Sequence, residues 1–272
     1  MSADPGRSRK IALSLSSGHS AGPLSYLELG RKDRPCVVFV HGFGANLLTW
    51  QLCLVPLASA FRVVALDLPG HGQSTREVGA GDLDFMTGWL AEAFDLLGID
   101  RAHMIGHSMG AKIVIAFSAR HRDRVSSLAL ISPAGMGAAF HIEPIERLLA
   151  EAGRERAEAA ARHLLGPRSG NLIHPLAESL HEAAADPGRN AAMRKLLDHS
   201  LRHGAGTLPV GFDWGDLPYP VKILWGDRDR LIPMPLPDRL PPAPLALIAH
   251  TGHLPHMEAP GDVVSALRSF LG

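Results

Sequence analysis

The sequence predicts an α/β fold: a mostly parallel eight-stranded sheet flanked by helices, with an all-helical segment inserted into it. Three observations carry that expectation. Short runs that are apolar throughout recur along the chain and end on turn residues, longer helix-like segments separate them, and the alternation stops between about Gly135 and Gly215. A run with no polar face suits a strand covered on both sides, as in a parallel sheet. Strand–helix–strand alternation then implies right-handed crossovers.

Taken in order, Ile11–Leu15 and Leu24–Leu29 are the more polar runs and read as a pair at the sheet edge. Cys36–Val40 is continuously apolar and ends at His41-Gly42, and Phe61–Leu66 ends at Asp67 and the turn Pro69-Gly70. A helix is expected from Asp82 to Leu97, then a strand from Ala102 to Ile105 that ends at Gly106, then a helix from Ser108 to His121. Val125–Ile131, Val221–Trp225 and Leu245–Ile248 supply the remaining strands, and Ala259–Leu271 the last helix. Within the insertion, Glu143–Leu165, His174–Ala185 and Asn190–His203 are rich in Ala, Leu, Glu and Arg, all residues of high helix propensity. Gly166-Pro167, Pro187-Gly188 and Gly204 punctuate them, giving three or four helices and no strand. The expected organisation is therefore a core of residues 1–134 and 216–272 carrying a helical cap over 135–215.

Composition narrows the function. The chain has 272 residues, enough for a sizeable core, and its 27 basic side chains balance 27 acidic ones. Zero formal charge removes the electrostatic case for nucleic acid or an anionic membrane as partner. Two cysteines are too few for a disulfide scaffold, no secretory leader or membrane span is expected, and a cytoplasmic protein follows as the default. No oligomeric state can be read from the residues.

The pattern Gly-x-Ser-x-Gly occurs twice, at Gly18–Gly22 and at Gly106–Gly110. It has chemical meaning only as a strand-to-helix elbow that lifts the serine hydroxyl above the sheet. Ser108 follows a strand and opens a helix, whereas Gly22 runs into Pro23 and another strand, so Ser108 is the candidate nucleophile and Ser20 a chance match. A serine hydroxyl needs an adjacent base, itself oriented by an acid. Val221–Trp225 runs into Gly226-Asp227-Arg228-Asp229, and Leu245–Ile248 leads to Gly252-His253-Leu254-Pro255-His256. Acid after one strand and histidine after the next point to Asp229 and His253, with Asp227, His250 and His256 as competitors. An oxyanion hole is expected from the backbone N–H groups of Met109 and Phe43, the latter in the glycine-rich loop His41–Asn46. That loop lacks a Gly-Lys-Ser/Thr ending, so no phosphate site is expected, and the histidine spacings suggest no zinc site. The loop Asp67–Ser74 reads as structural turn chemistry.

HGFG, DLPGHGQS, GHSMG, WGDRDRLIP and GHLPHMEAP, in that order, resemble the α/β-hydrolase superfamily over nearly the whole chain from Leu24. The resemblance implies Ser108 as nucleophile, Asp229 as acid, His253 as base and the N–H groups of Phe43 and Met109 as oxyanion donors, with no cofactor and no metal. Serine at 108 argues against the haloalkane dehalogenases and epoxide hydrolases, which carry aspartate there. ISPAGMG, GDLD and MEAP are similar to the C-terminal domain of acetoin-dehydrogenase dihydrolipoamide acetyltransferases; about 20 residues precede the fold here, fewer than their lipoyl domain needs. Meta-cleavage-product hydrolases are similar in elbow, acid loop and cap position. The expectation is a serine hydrolase of a small carboxylic ester or related acyl substrate, with acyl transfer to a thiol or alcohol, or C–C bond hydrolysis, as alternatives and ligand binding without catalysis as the remote one. Trp50, Met136, Phe140, Leu148 and Leu254 are the expected substrate-binding walls. Lys112 and Arg228 are assigned to solvated or helix-surface roles rather than to a substrate carboxylate.

Overall fold

In the computed structural model, residues 14–16, 18–136, 140–202, 213–235, 240 and 242–272 are described. The strands are β1 (Ser14–Ser16), β2 (Leu24–Leu29), β3 (Cys36–Val40), β4 (Arg62–Leu66), β5 (Ala102–His107), β6 (Val125–Ile131), β7 (Val221–Gly226) and β8 (Leu245–Ile248). They form one eight-stranded sheet in the order β1-β2-β4-β3-β5-β6-β7-β8. β1 and β2 pair antiparallel at one edge, and β3 to β8 run parallel. The polar edge pair was thus legible, although the expected Ile11–Leu15 run begins outside the described residues.

Strand alternation sorts the apolar side chains into two cores. Val38, Val40, Val64, Met104, Leu128, Leu130 and Trp225 pack on one face. Val37, Phe39, Val63, Ile105, Ile131 and Leu224 pack on the other. Helices α1 (Gln51–Leu57), α2 (Leu83–Leu96), α3 (Met109–Arg120) and, after the insertion, α8 (Pro255–Glu258) and α9 (Pro260–Leu271) flank the sheet. Each fully buried large side chain contributes about 1.5–3 kcal/mol. That is why strands such as β3, buried at every position, need no polar face.

Helix α1 has no counterpart among the expected elements. Its segment carries Pro56 and exposes Leu52 and Val55, so it presents no amphipathic stripe. A 3-10 turn at Leu47–Trp50 leads into it, capped by the Asn46 side chain, which accepts the Leu48 N–H at 2.9 Å.

Between β6 and β7 lie α4 (Glu143–Ala150), α5 (Arg154–Leu164), α6 (Gly170–Ala185) and α7 (Pro187–Leu196). The four helices fall within the expected three or four: the Glu143–Leu165 stretch divides in two at Glu151–Gly153, where Glu151 and Gly153 are extended (φ −147° and −165°). Helix α7 begins at Pro187 rather than Asn190. Asp186 caps it by accepting the Arg189 N–H at 2.8 Å, and proline is tolerated in the first turn, where no intrahelical N–H is needed. The expected end of that helix, His203, and Gly204 lie outside the described residues. Helix α5 buries Ala157, Ala160, Ala161 and Leu164, an i, i+3, i+4, i+7 stripe that fixes which side faces inward.

Candidate active site

Ser108 joins β5 to α3 with φ +52° and ψ −116°, a backbone region that L-residues rarely occupy and that costs about 1–3 kcal/mol. The surroundings hold it there. Its N–H donates to the Ile131 carbonyl at 3.0 Å, and its own carbonyl accepts from Ala134 and Lys112, each at 3.2 Å. The flanking glycines are steric requirements: a Cβ at Gly110 would lie 2.3 Å from the Val40 oxygen, and one at Gly106 would lie 2.5 Å from the Ala111 Cα.

Asp229 and His253 are both buried, and the His253 Nδ1 lies 2.8 Å from Asp229 Oδ2. The other carboxylate oxygen accepts the N–H groups of Leu231 and Ile232 at 3.0 and 2.9 Å, which fixes the carboxylate plane. A carboxylate at Nδ1 orients the imidazole and leaves Nε2 for the cavity, which Ser108 and His253 line together. Asp227 instead pairs with Arg228 at 3.7 Å. His250 is exposed in a turn with φ +63°. His256 is fully buried, its ring 4.3 Å from that of Trp50 and its Nε2 2.8 Å from Thr49 Oγ1. None of these three competitors lines the cavity that Ser108 and His253 share.

The glycine-rich loop reaches the serine because Gly42 has no side chain: a Cβ there would lie 2.6 Å from His107 Nδ1 and 3.1 Å from Ser108 Cβ. Phe43 and Met109 thus stand on the two segments that flank Ser108. Three histidines brace this region as neutral struts. His41 donates from Nδ1 to the Gly42 carbonyl (2.7 Å) while its Nε2 accepts the Leu68 N–H (3.0 Å). His71 donates to the Pro69 carbonyl and accepts the Gly44 N–H, both at 3.0 Å. His107 donates from Nε2 to the His253 carbonyl at 2.8 Å. A ring that both donates and accepts must be neutral. Burial pushes His41 down to about 4, and burial with the neighbouring His41 pushes His71 down to about 3. Burial lowers His256 to about 3 and, with the adjacent His256 and His253, takes His107 well below its ordinary value. Asp67 accepts the Leu47 and Gln73 N–H groups at 2.7 and 3.0 Å, so the Asp67–Ser74 loop supports its neighbour, as its turn chemistry suggests.

The cavity above Ser108 has a volume of about 270 Å³. Phe140 and Leu254 line it, as expected, but Trp50, Met136 and Leu148 do not. Trp50 is wholly buried beneath the loop, with its ring 5.1 Å from Phe39, because the 3-10 turn aims it at the sheet. Met136 belongs to the core, and Leu148 faces α6 and α7 across a separate small void, while Ile145, one turn earlier on α4, reaches the main cavity. The missed walls are chiefly Leu172, Leu176, Ser179 and Leu180 of α6, whose i, i+4, i+7 spacing is a helical face the sequence does carry. Lys112 is not on the helix surface: it is 2% exposed, and burial lowers it to about 8. No Lys or Arg is among the described residues that line the cavity.

These loops hang from the carboxyl edge of the parallel strands, where α/β enzymes carry their chemistry. The chain belongs to the α/β-hydrolase fold family, whose model matches residues 35–260. It is 33% identical over 237 residues, 87% of its length, to the dihydrolipoyllysine-residue acetyltransferase component of an acetoin cleaving system from Cupriavidus necator. It covers 63% of that protein and 66% of its Pseudomonas putida counterpart, just under two thirds of each. It is 28% identical to a 2-hydroxymuconate semialdehyde hydrolase from a Pseudomonas species, covering 86% of both chains. Among solved structures it is similar to carboxylesterase CesB of Bacillus subtilis, with a TM-score of 0.76 at 24% identity over 96% of this chain and 92% of that one. Carboxylesterases and C–C bond hydrolases are thus both among its neighbours. No helix of the described residues is long and apolar enough to cross a membrane.

Proposed function

We propose that this protein is a serine hydrolase that cleaves an uncharged carboxylic ester through an acyl-serine intermediate, with the helical insertion acting as its cap. The observation that carries the reading is the buried Asp229–His253 pair, 2.8 Å apart, sharing one cavity with a serine held at a strained elbow. His253 Nε2 takes the hydroxyl proton as Ser108 Oγ bonds to the ester carbonyl carbon. The oxyanion is received by the N–H groups of Phe43 and Met109, donors worth about 3–4 kcal/mol each at such sites. Collapse breaks the C–O bond, and the leaving alcohol takes the proton from His253. Water, deprotonated by the same imidazole, attacks the acyl carbon, and Ser108 Oγ leaves with that proton. Asp229 stays ionised and holds the ring.

The cavity supports an apolar acyl portion. Its walls are mostly apolar, half of them Leu, Ile or Phe. The absence of a cation among the described lining residues weighs against the carboxylate that a muconate substrate carries, and so against C–C hydrolysis. The likeness to the acetyltransferase components favours a second reading, in which a thiol replaces water in deacylation. Intact-mass analysis after a fluorophosphonate probe, with p-nitrophenyl acetate, butyrate and octanoate turnover in the presence and absence of an added thiol, tests all of this. Single labelling at Ser108 with turnover and free acid as product is expected. A thioester product would select the second reading, and a folded protein with neither label nor turnover would leave ligand binding as the function.

A further inference from the structure

We infer that Glu258 is a positioning residue that splices the helical insertion to the histidine loop, so that the catalytic imidazole is held by the same element that walls the substrate cavity. The inference rests on the serine-hydrolase reading above. Glu258 touches neither Ser108 nor the cavity, yet its two carboxylate oxygens serve two different parts of the chain. Oε2 accepts the Gly166 N–H at 2.7 Å and the Ser169 hydroxyl at 2.6 Å, both on the connection between α5 and α6. Oε1 accepts the Gly252 N–H at 2.8 Å and the Leu254 N–H at 3.4 Å, the residues on either side of His253.

The two segments also meet directly. The His253 N–H donates to the Leu164 carbonyl at 2.7 Å, and Leu164 is itself a cavity wall. Gly166 and Gly252 pack backbone to backbone: a Cβ on Gly252 would lie 2.4 Å from the Leu164 oxygen, and one on Gly166 would lie 2.5 Å from the His250 oxygen. Arg230, beside the acid, donates to the Leu165 carbonyl at 2.9 Å. One short stretch, 162–169, therefore contacts the acid loop, the base loop and the cavity. A carboxylate suits this joint because it offers acceptors in both directions and no donor to clash with four converging ones. A glutamine of the same shape must present its amide nitrogen to one pair, and that arm fails.

The variants Glu258→Gln and Ser169→Ala, made singly and together, test this. Misplacing a catalytic group by about 1 Å costs on the order of 10²-fold, so Glu258→Gln is expected to lower kcat by at least about tenfold. KM should change by less than about twofold, because the cavity wall is retained. Phosphonylation of Ser108 by a fluorophosphonate should slow in parallel. Ser169→Ala, remote from the triad and cutting only the insertion-side arm, should lower kcat by about threefold, and the double variant should be no slower than Glu258→Gln. Glu258→Gln with unaltered kcat and a lowered Tm would reduce the residue to a stabilising contact and overturn the inference, as would strictly multiplicative effects of the two substitutions. Should Glu258→Gln fail to fold, an unchanged kcat in Ser169→Ala decides against the splice. Wild-type protein that does not label at Ser108 would instead bring down the underlying reading; labelled wild type with a Glu258→Gln rate equal to it would bring down only this one.

Discussion

The chain contains Gly-His-Ser-x-Gly twice, and the two copies share almost nothing once folded. At Gly18–Gly22 the serine is exposed, and its N–H and hydroxyl both donate to the Glu92 carboxylate. His19 donates to the Trp89 carbonyl at 2.9 Å and stacks on the indole. At Gly106–Gly110 the serine is 5% exposed, its φ is +52°, and its glycines are pressed against backbone, Gly110 against the end of β3 and Gly106 against the first turn of α3. The preceding histidine, His107, points under the site to the His253 carbonyl. The same five-residue pattern is thus a surface turn in one place and a strained elbow in the other. What differs is the strand before, the helix after and the two loops that converge from β7 and β8.

The largest expected effect separates the serines. Ser108→Ala should reduce ester kcat by on the order of 10⁶-fold, whereas Ser20→Ala should leave it within about twofold and move Tm little. Parallel p-nitrophenyl butyrate assays and melts check both, and substantial activity in Ser108→Ala would erase the distinction. Asp229→Asn should cost about 10⁴-fold by releasing the imidazole tautomer, seen as a kcat loss in a protein that melts normally. The glycines come next. Gly110→Ala must displace the Val40 and His41 carbonyls, 2.3 and 2.4 Å from the new Cβ, and should destabilise by about 3 kcal/mol. Gly18→Ala meets no backbone, just the end of the Leu96 side chain at 3.2 Å and the Ser16 hydroxyl at 3.7 Å, and should cost far less, which paired urea titrations would show.

A separate effect, carried by the buried histidines rather than by either serine, is in pH. In the unfolded chain His41, His71 and His256 take a proton near 6.5, but in the folded protein only near 4, 3 and 3. The unfolded state therefore binds more protons as pH falls below 6.5. Stability is full above that value and declines toward the folded values, by about 2 kcal/mol per histidine at pH 5. A urea midpoint that is the same at pH 7.5 and pH 5 would show that these rings are already protonated in the fold.

Much of this was written locally. Ser108 follows β5 directly, and the loops after β7 and β8 carry Asp229 and His253, so the strand boundaries locate the loops, although Asp227 and His250 lie nearer the strand ends. What was not legible depends on how whole helices rotate. Leu148 and Ile145 sit one turn apart on α4, and nothing local says which of them meets the cavity. Trp50 is expected as a wall from its apolar type, yet the turn that Asn46 caps directs it toward the sheet. Lys112 reads as a surface residue by type, but α3 is buried from Met109 through Ser118. Helix α1 was missed because its apolar face is not opposed by a polar one. His41 and His71 were visible only as residues without metal-ligand spacing; each donates to a carbonyl close in sequence, but the N–H groups of Leu68 and Gly44 that they accept are brought near only by the fold.

The contacts of residues 162–169 bear on how such a protein could be rebuilt. Because the insertion leaves after β6 and returns before β7, it looks like a cassette that could be exchanged to alter selectivity. The last turn of α5 and the α5–α6 connection, however, supply the carbonyl that receives the His253 N–H and the partners of Glu258 and Arg230. A graft that replaced the helices but discarded that loop would carry over a new chamber and leave the base without its seat. The transplantable unit is therefore the helices on either side of the joint, and the joint itself stays with the host.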